Sequence, residues 1–395
     1  MTKAAIIIER ADVSLGGAER SVQELAARLN ALGVQTAVLA ATGTPDNPNA
    51  TVLCGENRAK RTSFDTFRQA LQSHLTRNRY DIIHSALPFD FADVYQPRGG
   101  SYAEAVARNA ASYDNPAVRL YKSATSRLNL RRTVLLNAET RLCRPQQRTI
   151  VAALSDYVKS QFIRHYRLPE DRIRVIPNAV DVRQPPDPAQ VDALRTRILS
   201  QMNASPADQP AIFLFAANNF RLKGLAPIIR ALAILKNRRE PRPACVAVAG
   251  SDNPHAYRSL AADLRVADRL LFMGPLPEIH TALAAADAAV LPTFYDPCSR
   301  FVLEALARAI PPITTRFNGA AERYTDRRHG IIIDDPRDTR ALADAFAWLA
   351  DADNRLAAAE AIRRDNLEQN ISIASHAQTM VELYRHIIAD RGSRS

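Results

Sequence analysis

Cysteine, lysine and long apolar runs are all scarce in this chain, and each scarcity excludes something. The four cysteines, Cys54, Cys143, Cys245 and Cys298, stand far apart and form no CxxC pair. A disulfide framework and a structural zinc site are therefore not expected, and a reducing cytoplasm is. No run of eighteen apolar residues occurs, so no segment is expected to span a membrane. The N-terminus has one short apolar run before Glu9 and Arg10, which reads as a first strand and is too short for a signal peptide. Lysine supplies only six of 52 cations, so Arg carries most of the formal net charge of +11. Acids are nearly missing between Ala117 and Ile150, where eight Lys or Arg face the single acid Glu139. Such a basic stretch suits nucleic acid, an anionic membrane surface or an anionic substrate, or follows from an Arg-rich composition.

At 395 residues the chain is long enough for two ordinary domains, and strand and helix patterns alternate along it twice. The first series has strands near 3–9, 36–41, 51–54, 81–85, 149–154 and 173–177, with helices near 18–32, 64–77, 102–111, 118–142 and 156–166. Four prolines in IPNAVDVRQPPDPAQ, 176–190, then mark a linker. The second series has strands near 211–217, 244–249, 270–273, 288–292, 312–315 and 330–334. Helices are expected near 224–238, 256–265, 278–286, 300–309 and 337–350. The fold class expected is α/β, with two doubly wound Rossmann-like domains facing a cleft. The domains are 1–180 and 181–371, with a C-terminal helix over 372–390 packing back on the first. Ligands of such sheets bind beyond the carboxyl ends of the strands, which is where chemistry is to be sought.

After the first strand, Gly16 and Gly17 open a helix. Paired glycines let backbone N–H groups approach a phosphate or sugar closely, though a plain turn has the same look. This loop is not GxGxxG and lacks the Lys-Ser/Thr of an ATP-type phosphate loop, so NAD and ATP lose support. After AIFLFAA, the loop NNFRLKG carries Arg221 and Lys223, two cations suited to a diphosphate. In PTFYDPCSRFVLEALARA, a strand ends at Pro292, Asp296 lies in the turn, Ser299 is a good N-cap and Glu304 falls one turn into the helix. A helix start offers unpaired N–H groups to an anion, and carboxylates beside a diphosphate make sense if sugar hydroxyls accompany it. Asp296 as a turn former and Glu304 as a solvated charge is the plainer alternative.

Together these motifs resemble the retaining, GT-B-fold glycosyltransferases of family 4 over almost the whole chain. DPCSRFVLEA resembles that family's E-x7-E motif, with Asp296 in place of the first Glu. GGAER resembles its glycine loop, NNFRLKGL its basic diphosphate loop, and HYRLPEDRIRVIPNAVD its hinge. Within the family the likeness is greatest to lipopolysaccharide core glucosyltransferases acting on heptose. ADVYQPRGGSYAEAVAR resembles their acceptor-side stretch, with Gly99 where an acidic residue is usual.

The resemblance implies roles residue by residue. Lys223, with Arg221, would hold the diphosphate, Glu304 the ribose hydroxyls and Asp296 the donor sugar. Backbone near Ser299 and Arg300 would complete that site, Gly16 and Gly17 would close on it, and Gly274 to Leu276 would face the base. His84, Asp93, Arg98 and Gly99 fall on the acceptor side, although a core role for His84 is the plainer reading. The implied reaction is front-face transfer with retention from a UDP-sugar donor, without cofactor or metal. The DAD at 351–353 reads as helix punctuation. Two rivals remain: a nucleotide-sugar epimerase of related fold, and a nucleic-acid binder using 117–150. The second lacks interleaved aromatics, so no nucleic-acid partner is expected. In 119–148, Leu120, Ala124, Leu128, Leu135 and Leu142 form an apolar stripe expected to pack inward, with Arg127, Arg131 and Arg132 making shallow contact with the inner membrane surface.

Overall fold

The computed structural model of the protein describes residues 1–12, 16–43, 50–55, 62–181, 185–202, 210–238, 243–276 and 278–393, apart from the side chains at 126 and 127. By packing, the chain divides into two units. One comprises Met1–Ala110, Asn115–Asp181 and the chain from Ser372 onward; the other comprises Ala111–Asp114 and Val182–Ile371. Residues 111–114, expected in the first domain, thus cluster with the second.

The first unit begins with β1 (Lys3–Arg10), α1 (Gly17–Ala31), β2 (Gln35–Thr42), β3 (Ala50–Gly55), α2 (Phe64–Arg77) and β4 (Ile82–Ser85). There follow β5 (Val94–Tyr95), α3 (Tyr102–Ala111), α4 (Pro116–Ala124), α5 (Leu130–Leu142), β6 (Ile150–Ala153), α6 (Asp156–Tyr166) and β7 (Ile173–Val175). Its seven strands are parallel in the order β3-β2-β1-β4-β5-β6-β7. Residues 4–8 of β1 are all buried, the continuous apolar run of a strand covered on both faces. The two-residue β5 escapes a periodicity reading altogether.

The expected helix over 118–142 is broken. Asn115 caps α4, with Pro116 at its first position, and Asn129 accepts from the Arg132 N–H to start α5. A 3₁₀ turn, Thr125–Leu128, joins them. The expected stripe divides accordingly: Leu135 and Leu142 are buried, whereas Leu120 and Leu128 are exposed, together with Tyr121 and Leu130. Arg131 is ion-paired to Glu9, and the side chain of Arg127 lies outside the described residues.

The second unit runs α7 (Pro188–Gln201), β8 (Ala211–Ala216), α8 (Leu225–Arg238), β9 (Ala244–Ala249), α9 (His255–Asp263), β10 (Leu270–Gly274) and α10 (Ile279–Ala285). It continues with β11 (Ala288–Leu291), α11 (Arg300–Leu306), β12 (Pro312–Thr315), β13 (Ile331–Ile333), α12 (Thr339–Ala350), α13 (Ala352–Arg364) and α14 (Leu367–Asn370). The six strands are parallel in the order β10-β9-β8-β11-β12-β13. Asp187 and Pro188 start α7 inside the stretch expected to be linker. Asp351 of the DAD sequence caps α13, accepting from the Asp353 and Asn354 N–H groups.

The chain then returns to the first unit as α15 (Ile373–Gly392), capped by Ser372. Its Ile373, Ala377, Met380, Leu383, Tyr384 and Ile387 share a core with Val22, Leu25 and Leu29 of α1 and with Ile6 and Ile8 of β1.

Candidate active site

Strand order in the second unit reverses between β8 and β11, the point at which doubly wound sheets leave a crevice beyond their strand ends. The loops leaving those two strands, 217–224 and 292–299, carry the cations and the first acid singled out by sequence. They are joined directly. The Phe294 N–H donates to the Leu222 carbonyl at 2.9 Å, and the Thr293 hydroxyl donates to the same carbonyl at 3.1 Å. Gly224 makes this approach possible: its φ is +88°, and a Cβ there would come 2.2 Å from the Pro292 carbonyl oxygen.

Across this junction Lys223 Nζ donates to Asp296 Oδ2 at 2.6 Å and to the Tyr295 carbonyl at 2.9 Å. Asp296 is itself fixed, its Oδ1 accepting from the Cys298 N–H at 3.1 Å and its own N–H donating to the Phe317 carbonyl. Ser299 is the N-cap of α11, as expected, facing the Val302 N–H at 3.5 Å. Its own N–H donates to Asn318 Oδ1 at 3.0 Å, so it is already occupied, unlike the free donor expected there. One turn on, Glu304 is buried with Oε1 3.5 Å from the Arg300 guanidinium.

Asn318 was not anticipated from sequence. It is buried, accepts from both the Ser299 and Ala320 N–H groups and donates to the Thr314 hydroxyl at 3.0 Å. Its only sequence signal is its place just past the end of β12.

Arg221 departs from expectation. Its guanidinium stacks 3.8 Å from the centre of the Tyr113 ring and donates to the Ser112 hydroxyl, both in the 111–114 segment. The flat cation takes an aromatic face while the lysine takes a carboxylate, so the two cations have different partners. Gly274 ends β10 with φ +74°, and its carbonyl accepts from the Gly250 N–H at 2.9 Å. Beside it Phe272 lies under the Arg258 guanidinium, and half-buried Leu276 follows.

In the first unit Gly16 precedes α1 in extended backbone that any residue adopts, and Gly17 is the first helical residue. A Cβ on Gly16 would lie 3.2 Å from Glu19 Oε2, whose carboxylate pairs with Arg10. Residues 13–15 of the glycine loop lie outside the described residues. His84 is a core residue: Nδ1 lies 2.6 Å from the Tyr384 hydroxyl, and burial, with Arg98 and His376 nearby, pushes its pKa down to about 3. Asp93 is misassigned to the acceptor side. It precedes β5, at the amino end of the strands, where it accepts from the Ile83 N–H at 2.8 Å and pairs with Arg391. Arg98 and Gly99 do lie at the carboxyl end, in the loop after β5. There Arg98 donates to the Ser21 hydroxyl at 2.7 Å and Gly99 is exposed, with nothing within 4 Å of a Cβ built on it.

The family model for Glycosyltransferase Family 4 matches residues 15–184, and the one for glycosyl transferases group 1 matches residues 199–366. The lipopolysaccharide glucosyltransferase WaaG of Escherichia coli (strain K12) is 23% identical over 328 residues, 81% of this chain and 82% of WaaG. A D-inositol 3-phosphate glycosyltransferase of Pseudarthrobacter chlorophenolicus is 28% identical over 197 residues, so the chain spans only 45% of that relative's length and 49% of its own. The crystal structure of WaaG, a glycosyltransferase involved in lipopolysaccharide biosynthesis, matches with a TM-score of 0.77 at 21% identity, covering 96% of this chain and 99% of that one. HepE of Anabaena, in complex with UDP-glucose, matches at 0.70 and 16% identity, covering 98% and 100%. At such identities the structural likeness carries the fold, and the family models carry the chemistry. With one model on each half and both sheets wound alike, the chain belongs to the GT-B glycosyltransferases and is a hexosyltransferase.

Proposed function

We propose that this enzyme moves glucose from UDP-glucose to a sugar of the lipopolysaccharide core, or of a comparable cell-envelope glycolipid, with retention at the anomeric carbon. The observation that carries the reading is the junction at the second unit's switch point, where Lys223 meets Asp296 at 2.6 Å and buried Glu304 lies one turn along α11. In the donor complex Lys223 turns to the diphosphate, Asp296 accepts from the hexose hydroxyls and Glu304 accepts from the ribose hydroxyls. Backbone at Arg300, and at Gly274 to Leu276, lies against the diphosphate and the base. WaaG, named a lipopolysaccharide glucosyltransferase, and HepE, captured with UDP-glucose, support the choice of donor and acceptor.

In the reaction the acceptor oxygen bonds to the anomeric carbon on the face from which the diphosphate departs. The carbon–phosphate-oxygen bond breaks, and the acceptor's proton passes to the departing phosphate oxygen. Lys223 offsets the charge that develops there, so no metal ion takes part in this scheme.

The exposed side chains of Leu120, Tyr121, Leu128 and Leu130, beside Lys122, support shallow contact with an anionic membrane surface. Among the described residues no helix is long and apolar enough to cross a membrane. The location proposed is the cytoplasm, peripheral on the inner face of the cell membrane, and the exposed apolar side chains beside Lys122 support it.

The test is incubation of UDP-[¹⁴C]glucose with lipopolysaccharide truncated to a terminal heptose. Label in the glycolipid, α-linked by NMR, supports the reading. Release of UDP with no labelled acceptor in any glycan tested overturns it in favour of the epimerase alternative. Transfer to inositol phosphate instead keeps the enzyme class and replaces the acceptor.

A further inference from the structure

In the first unit the Glu139 carboxylate is buried and has no part in the donor site. Glu139 lies on α5, wholly inaccessible to solvent, on the same helix as buried Leu135, Ala138 and Leu142. A leucine would fill such a position without the cost of taking a charge out of water. Glu139 is instead fully engaged. Its Oε1 accepts from the Tyr95 hydroxyl at 2.8 Å, and its Oε2 accepts from the Tyr102 backbone N–H at 2.8 Å and the Tyr166 hydroxyl at 2.5 Å.

Tyr95 is the last residue of β5 and Tyr102 the first of α3, so the two oxygens grip both ends of the loop 96–101. That loop leaves the carboxyl end of a central strand, where ligands of such sheets bind. It turns on a Gly100 N–H to Pro97 carbonyl bond and carries Arg98, which is tied to Ser21 of α1 and lies 3.4 Å from Asn178 Oδ1. Gripping the first N–H of α3 also places a negative group at the positive end of that helix.

We infer that Glu139 is a positioning residue for the acceptor step, its carboxylate clamping the β5–α3 loop in the conformation that presents Arg98 and Gly99. The inference rests on the proposed glycosyl transfer for its acceptor, while the clamp itself does not.

The groups facing Glu139 are Tyr95 from β5, Tyr102 from α3, Tyr166 from α6 and Cys143 just past the end of its own helix. Arg172 lies by Cys143, and Glu9 and Arg131 lie by Tyr102. Burial raises the tyrosines and the thiol well out of the neutral range. Burial also pushes the Glu139 carboxyl up to about 7, against the pull of its three hydrogen bonds. Protonation relieves the buried charge, so the clamp is tightest below that value and loosens as pH rises through it.

The test uses the full chain, Glu139→Gln, and Tyr95→Phe, which removes one end of the clamp without touching charge. Amide hydrogen exchange over 96–102 is expected to rise roughly tenfold in either variant, the scale of one lost buried hydrogen bond. With the heptose-ended lipopolysaccharide as probe, acceptor KM is expected to rise by a similar factor while kcat and the KM for UDP-glucose stay within about twofold. Parent acceptor KM should rise as pH climbs from 6 to 8, and the Gln variant, neutral throughout, should lose that dependence. Unchanged exchange in both variants overturns the clamp. Faster exchange with unchanged acceptor KM overturns its role in transfer. Should the parent fail to transfer to this acceptor, the proposed function falls and exchange alone decides the clamp.

Discussion

Gly224 sets the distance between Lys223 and Asp296. Alanine there meets both a positive φ and the Pro292 carbonyl, so Gly224→Ala is expected to cost at least about 2 kcal/mol, read as a fall in Tm. Lys223→Ala leaves the mostly buried Asp296 carboxylate without its cation, so a fall of a few degrees in Tm is expected. Its transfer rate should fall by roughly 10²–10³, the effect of removing one charge-stabilising donor, and a loss of only a few-fold takes Lys223 out of the reaction. Glu304→Gln is expected to weaken UDP itself as well as UDP-glucose, by about 1.5–3 kcal/mol in calorimetry for each charged hydrogen bond lost. If UDP binds as before while transfer drops, the ribose role is wrong. Lys223, Asp296, Ser299 and Glu304 were legible because they punctuate a strand–turn–helix, a local pattern. Asn318 was not, because its partner Ser299 lies on another loop and no spacing encodes that contact. Asp93 was misread because a motif states order and not which end of a strand a residue occupies.

Among elements, α11 is short and ends abruptly. The Ile310 N–H returns to the Ala305 carbonyl at 2.9 Å, and Ala309 carries φ +54°. A left-handed terminator of this kind favours glycine, so Ala309→Gly is expected to stabilise the second unit by about 0.5–1 kcal/mol, a rise of a few degrees in Tm. The α4–α5 region is the other element with a prediction. Leu128→Ser with Leu130→Ser should reduce binding to vesicles containing anionic lipid while leaving hydrolysis of UDP-glucose unchanged, since neither side chain is buried. A parent that ignores such vesicles at low salt removes the membrane from the proposal. The helix expected over 118–142 failed at Asn129, where a side-chain cap restarts the backbone inside an apolar-looking stripe. Helix α7 was hidden by the four prolines read as linker, one of which serves as its first residue. The longer strands were legible because parallel strands buried on both faces leave unbroken apolar runs, whereas the two-residue β5 and helices α13 and α14 were not foreseen.

For the molecule as a whole, the Glu139 cluster gives stability a pH dependence of known sign. Its carboxyl is raised from 4.5 to about 7 on folding, so its contribution is full below pH 4.5 and is lost as pH rises through 7. That amounts to roughly 3 kcal/mol across the window, and urea titrations at pH 5 and pH 8 should show Glu139→Gln removing that share. Transfer is expected to survive EDTA, and complete dependence on added Mg²⁺ or Mn²⁺ would contradict the charge assigned to Lys223. The return of α15 bears on synthesis as well as architecture. The first unit's core is closed by Met380, Leu383, Tyr384 and Ile387, which leave the ribosome only after the whole second unit. At about 5–20 residues per second, the apolar face of α1 waits tens of seconds for its cover after its own emergence, whereas every strand of the second unit is already translated. A nascent chain stalled before Ser372 should therefore hold chaperones on its N-terminal half, and release them only when α15 is made.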